Sequence, residues 1–169
     1  MSGGDFSAVI AAVAAARSRS RTLSIELYAF LGVTGHESAD VMRRAIEMYE
    51  FDTVLTTFNP TARRRSFRDS VLPLALERKM GIQAMKVMGG GFGSLATGNP
   101  IKNTGTWHHD ETPKQADPQM LIRCALGLPV SFAVVGMASV EQLRANVVAV
   151  RDLTPFDASE RERLEKAMA

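Results

Sequence analysis

Cysteine is almost absent from this sequence, and neither a long apolar run nor a large net charge is present. Cys124 is the single cysteine, so the chain cannot form an internal disulfide, which is typical of a protein in a reducing compartment. The formal net charge is only +2, which gives no reason to expect a nucleic-acid partner. No apolar run approaches the roughly 20 residues that a membrane helix needs. These features predict a cytoplasmic protein with neither nucleic acid nor membrane as a partner.

The composition is that of one globular domain. Hydrophobic residues make up 46% of the chain and charged residues 22%, a balance typical of folded proteins. The Ala-rich start has no basic segment ahead of its apolar part, so we do not interpret it as a signal peptide. We divide the predicted domain, residues 1–169, into an N-terminal helix and connector (1–24), a (β/α)4 core (25–153) and a C-terminal helix (154–169).

The stretch Leu128–Asn146 predicts a strand, a tight turn and the start of a helix. Phe132–Val135 is a continuous apolar run, typical of a parallel strand that is covered on both faces. Gly136 permits a sharp turn, and Ser139 with Gln142 three residues later forms a capping box. Apolar residues then recur at helical spacing, at Val140, Leu143, Val147 and Val150. The free N–H groups and the positive end of the helix dipole predict an anion site suited to phosphate.

The rest of the chain alternates strands with helices. Further strands are predicted at Ile25–Val33, Phe51–Phe58 and Gly81–Gly91. Helices are predicted over residues 5–17, from Ser38 onward, over residues 70–79, from Asp117 to Gly127, and from Asp157 or Ser159 to the end. Such alternation predicts an α/β fold with a parallel sheet and right-handed crossovers.

Four motifs resemble the second half of the aldo/keto reductase barrel. They are GVTGH at residues 32–36, Asn59-Pro60, MKVMGGG at residues 85–91, and Val135-Gly136 followed by Ser139, Gln142 and Asn146. The resemblance covers about residues 30–165 and implies half of a TIM (β/α)8 barrel, its strands five to eight. The chain departs from the family in two places. Residues 17–30 form a longer connector without glycine, and Leu55 replaces a Gln that binds the nicotinamide carboxamide in many members.

The resemblance implies an NADP(H) site without catalysis by this chain alone. The implied cofactor-binding residues are Thr34, Gly35, Lys86, Gly136, Met137, Ser139, Gln142 and Asn146. The catalytic Asp, Tyr, Lys and His of the family all belong to the first half of its barrel, and none has a counterpart here. The implied function is therefore that of an aldo/keto reductase-like oxidoreductase half that is inactive alone. The alternative is a non-catalytic half-barrel that binds a nucleotide or associates with itself.

A half-barrel also needs a partner. Its edge strands, Ile25–Val33 and Phe132–Val135, lack the Lys or Pro that commonly protects an exposed edge. One face of each strand would look into an open trough instead of a filled interior. We therefore expect a homo-oligomer or a separate N-terminal half of the barrel as partner, besides NADP(H) itself.

Several polar residues are open to two interpretations. Lys86, at the end of a predicted strand, is either a cation that faces a ligand or a side chain that reaches solvent. His36 fits a role in a helix cap or loop better than a catalytic one. We interpret His108–Asp110 and the basic run Arg63–Arg68 as solvated loops rather than as a metal site and a phosphate site. No metal site is predicted.

Overall fold

A computed structural model describes residues 30–60, 65–88, 117–137, 139–151 and 154–167. The predicted helix over residues 5–17, most of the predicted strand Ile25–Val33, Arg63, Arg64, the glycines at 89–91 and His108–Asp110 lie outside the described residues. Within them, four parallel strands alternate with helices, which confirms the predicted α/β class. None of the described helices is long and apolar enough to cross a membrane.

The elements follow one another in a regular order. They are β1 (Gly32–Gly35), α1 (Ala39–Met48), β2 (Thr53–Thr57), a π-helical segment (Phe67–Val71), α2 (Leu72–Glu77), β3 (Gly81–Met85), α3 (Pro118–Leu126), β4 (Phe132–Ala133), α4 (Val140–Arg151) and α5 (Ala158–Ala167). The strands lie side by side in chain order, β1-β2-β3-β4, and every neighbouring pair is parallel. Within the part of the chain that the structure describes, the sheet therefore has two free edges, β1 and β4.

The helices cover one face of this sheet. Val54 and Ile82 are almost fully buried beneath them and belong to the hydrophobic core. The opposite face carries a row across the four strands in register, namely Thr34, Leu55, Gln83 and Phe132. Each of these four side chains is at least partly exposed. Among the described residues, the hydrophobic core therefore lies on the face of the sheet that the helices cover.

Side-chain caps begin the helices where the sequence predicts them. A hydroxyl or carboxylate accepts a hydrogen bond from a backbone N–H two or three residues later at Ser38, Asp117, Ser139 and Asp157. The N–H of Glu160, followed by the hydroxyl of Ser159, holds the pKa of Asp157 below its ordinary value of 3.8. Because the folded state favours the ionised carboxylate, this cap persists at neutral pH and is lost as the pH falls through the lowered pKa.

A proline explains the π-helical segment. Pro73 has no N–H, and its ring crowds the carbonyl four residues earlier, so the regular ladder of hydrogen bonds is interrupted there. The N–H of Leu72 instead donates to the carbonyl of Phe67, which widens the turn by one residue. This wider turn places Phe67, which is 1% exposed, in the core. Pro73 itself lies in the first turn of α2, a position that tolerates proline.

The C-terminal helix packs on α3 through one aromatic ring and two arginines. The guanidinium groups of Arg123 and Arg161 each lie 5.4 Å from the centroid of the Phe156 ring. Arg161 also donates to the carbonyl oxygen of Cys124 at 3.0 Å, and Arg123 pairs with Glu160 at 3.3 Å. These contacts attach α5 to the same domain as the sheet.

Two details differ from the predictions. Within the described residues the first strand is Gly32–Gly35, later in the chain than Ile25–Val33. The predicted burial of Phe132–Val135 on both faces is wrong, since Phe132 and Val134 are each 48% exposed. Among the described residues, this strand lies at an edge of the sheet and has helices on one face only, which leaves Phe132 and Val134 exposed on the other face.

Candidate functional site

The carboxyl ends of the four strands meet at one edge of the sheet, because the strands are parallel. His36 follows β1, Asn59 lies two residues beyond β2, and Lys86 follows β3 directly. Gly136 lies three residues beyond β4, in the turn that leads to α4. In parallel α/β proteins this edge is where ligands bind. The fold thus assembles residues that are 100 positions apart in the chain into one candidate site.

Asn59 joins two neighbouring strand ends. Its side-chain amide donates to the carbonyl oxygen of Lys86 at 3.1 Å and to the hydroxyl of Thr57 at 3.3 Å. Thr56 makes the corresponding link to β1, since its hydroxyl donates to the carbonyl oxygen of Gly35 at 2.6 Å. These hydrogen bonds hold the edge in a fixed arrangement before any ligand arrives, which is what an oriented binding site requires.

Lys86 has a backbone conformation that few residues other than glycine adopt. Its φ is 54°, in the left-handed region, where a Cβ atom crowds the carbonyl oxygen that follows. The bond from Asn59 to its carbonyl oxygen holds the residue in this conformation. Such strain is concentrated at functional sites, and its position at the carboxyl edge supports the interpretation of Lys86 as a cation that faces a ligand.

A pair of substitutions separates strain from binding. Lys79, in the turn before β3, has nearly the same φ of 55° but lies at the opposite end of that strand. Replacing either lysine with glycine should raise the free energy of unfolding by about 0.5–1 kcal/mol, because glycine lacks the crowded Cβ. If NADP(H) binds at the carboxyl edge as the motif resemblance implies, only Lys86→Gly should also weaken this binding, by several-fold in a calorimetric titration. Equal binding by the two variants would remove Lys86 from the site.

A carboxylate already occupies the start of α4. Ser139 caps this helix through the N–H of Gln142 at 3.3 Å, as the capping box predicts. Glu141 lies in the same turn, where its own backbone N–H and then the hydroxyl of Ser139 lower the pKa of its carboxyl group. Glu141 is thus an anion that already uses the donors at this helix end, and the predicted phosphate site stays a prediction. A bound phosphate, however, has to share these donors with Glu141 or displace its carboxylate.

Gln142 and Asn146 lie on the inward side of α4 rather than at the open edge. They are 4% and 8% exposed, and both make interactions within the fold. Asn146 nevertheless lines a groove between α4 and β4, so a ligand in that groove could reach it. Met137, in the turn ahead of the helix, is 45% exposed and lines the same groove.

The β1 residues of the predicted site divide into two roles. Thr34 is exposed on the open face of the sheet, where it is accessible to a ligand. Gly35 serves packing, because a Cβ atom there would lie 2.4 Å from the sulfur of the buried Met42 in α1. The neighbouring His36 lies with its Nδ1 2.6 Å from the carboxylate of Glu37, an arrangement that fits the predicted loop role.

Two participants were not found by sequence reasoning. The sequence marks Asn59 only as part of an Asn-Pro motif. Nothing near it in the chain indicates that its amide donates a hydrogen bond to Lys86, the residue after β3. Glu141 is the second such residue. Its position in the first turn of a helix could have indicated its role, since an acidic side chain there competes with an external anion for the helix end.

Comparisons with known proteins do not assign the chain to a family. It matches no protein-family model, and no curated protein and no solved structure is significantly similar to it. The resemblance of its motifs to the aldo/keto reductases stays a prediction.

Proposed function

We propose that this chain is an NADP(H)-binding half of an aldo/keto reductase-like barrel, with the dinucleotide bound along the carboxyl edge of the sheet. The observation that supports this most is the strand order, in which each strand lies beside its predecessor without reversal. Doubly wound nucleotide-binding folds reverse the direction of strand addition within the sheet, whereas TIM barrels add strands in one direction. Four strands with their helices are half of such a barrel.

The adenosine 2′-phosphate of the dinucleotide would bind near the start of α4. The hydroxyl of Ser139 and the backbone N–H groups of the first turn are the donors there, a phosphate would compete for them with Glu141, and the helix dipole adds a positive field. Lys86 supports the same location, since it follows β3, which is the neighbour of β4 in the sheet. The adenosine 2′-phosphate distinguishes NADP(H) from NAD(H), so this location predicts a preference for NADP(H).

Calorimetric titration of the full chain with NADP⁺ and NAD⁺ tests the proposal. We expect NADP⁺ to bind roughly three- to thirtyfold more tightly, the effect of two phosphate charges at a helix end. Ser139→Asp should abolish this preference, because it adds a fixed negative charge where the phosphate binds. Equal affinity for the two dinucleotides, or a preference that Ser139→Asp leaves unchanged, would argue against this site.

A charge-removing variant makes the test sharper. Glu141→Gln should strengthen NADP⁺ binding roughly two- to fivefold and leave NAD⁺ binding unchanged, because the competing carboxylate is gone. Glu162→Gln removes the same charge from an exposed position in α5 and should affect neither dinucleotide. If the two variants behave alike, the effect comes from overall charge and not from the start of α4.

A further inference from the structure

Exposed apolar side chains are concentrated on one side of the molecule. Among the described residues, eleven large apolar side chains are exposed, and eight of them lie between Phe132 and Val150. They are Phe132, Val134, Met137, Val140, Leu143, Val147, Val148 and Val150, and we call them the β4–α4 surface. At about half exposure they present on the order of 600 Å² of apolar area, which is close to the ~800 Å² per partner of a standard interface.

The orientation of α4 creates this surface. Its buried side carries Gln142, Asn146 and Ala149, whereas its large aliphatic residues are exposed, some of them beside β4. The helix packs against α3 and makes few contacts with β4, the strand that leads into it. A groove of about 510 Å³ remains between α4 and β4, and its lining includes Phe132, Leu143 and Val147. The helix therefore overhangs the free edge of the sheet instead of covering it.

The other edge of the sheet, β1, can pair with the β4 edge of a second copy. Among the described strands, β1 has a neighbour on one side only, and Phe30 just before it is 76% exposed. All four strands are parallel. The β1 strand of a second sheet whose strands run in the same direction can therefore pair with β4 and continue the parallel ladder.

We propose that a second copy of this chain docks on the β4–α4 surface, with its β1 paired in parallel to β4 beneath α4. A two-fold axis parallel to the strands then makes the same contact at the other edge, and eight strands close into a ring. This goes beyond nucleotide binding and rests only on the half-barrel part of the proposed function. One symmetry operation thus pairs both free edges and covers the apolar groove.

The mass of the protein in solution, measured without nucleotide, is the first test. Sedimentation equilibrium should give twice the chain mass of 18.4 kDa. Leu143→Glu should raise the dimer dissociation constant by on the order of tenfold or more, because it introduces a charge into the apolar groove. Leu76→Glu is the matched control, since Leu76 is 45% exposed and Leu143 46%, yet Leu76 lies on α2 away from both edges. A wild-type monomer, or equal effects of the two variants, would overturn the proposal.

Engineered cysteines test which edges meet. Thr34 in β1, and Phe132 and Val134 at β4, all belong to the open face of the sheet, and the native Cys124 is buried. Under oxidation, Thr34→Cys protein mixed with Phe132→Cys or Val134→Cys protein should form a covalent dimer. Each variant alone should not. Cross-linking of a β4 variant with itself would indicate that two β4 edges meet, and no cross-link in any mixture would exclude pairing of β1 with β4.

These readouts stay separate from the nucleotide experiments. A dimer that shows no preference for NADP⁺ would leave the docking proposal intact and contradict the proposed function. A monomer that binds NADP⁺ selectively would do the reverse, and would point to a separate N-terminal half or to residues 1–29 as the cover of the groove.

Discussion

Purified protein given NADPH and an aldehyde is expected to leave the NADPH unoxidised. Reduction of a carbonyl by hydride needs an acid that protonates the developing alkoxide. In the aldo/keto reductases, which the motifs of this chain resemble, a tyrosine tuned by Lys and His is that acid. Among the described residues the tyrosine is Tyr49, which stacks on Phe51 at 5.2 Å. It follows α1 and precedes β2, so it lies at the amino edge of the sheet, opposite the candidate site.

The expected effect is large. With no tyrosine at the candidate site among the described residues, turnover should lie about 10²–10⁴-fold below the ~10 s⁻¹ that is common among enzymes. The measurement is the decrease in NADPH absorbance with and without a carbonyl substrate. Substrate-dependent oxidation that disappears in Lys86→Ala would contradict the prediction and would indicate a replacement catalytic site. Oxidation that survives in that variant calls for the same assay after a further purification step, to exclude a contaminating reductase.

Truncating one core residue should remove a large part of the stability of the domain. Phe67 is among the largest fully buried side chains, and it packs into a single core cluster with residues of α1, α2 and the sheet. Phe67→Ala is expected to lower the free energy of unfolding by about 3–5 kcal/mol, through lost burial and the cavity that remains. The total free energy of unfolding of a domain is about 5–15 kcal/mol, so this loss removes a large part of it.

Urea denaturation of the two proteins measures this difference. Leu76→Ala serves as the control, because Leu76 is 45% exposed and its truncation should cost less than about 1 kcal/mol. A loss below about 1 kcal/mol for Phe67→Ala as well would mean that the π-helical segment does not pack into the core as the structure has it.

Local interactions let the sequence predict the helices and the fold class. A cap such as Ser38 or Asp117 accepts a hydrogen bond from an N–H two or three residues later, so a few neighbouring residues are enough to predict it. The alternation of apolar runs with capped helices likewise predicted the parallel sheet, which the structure confirms. Motif resemblance predicted which strand ends would carry functional residues, and the fold brings those strand ends together at one edge.

Only the tertiary structure decided which faces are covered. The apolar spacing of Val140, Leu143 and Val147 predicts a helix but does not say which side faces inward, and here the polar side does. That outcome depends on how α4 sits against α3, a contact between segments that periodicity within one helix does not encode. The left-handed conformation of Lys86 has the same origin, because the Asn59 amide that stabilises it comes from another strand, 27 residues away.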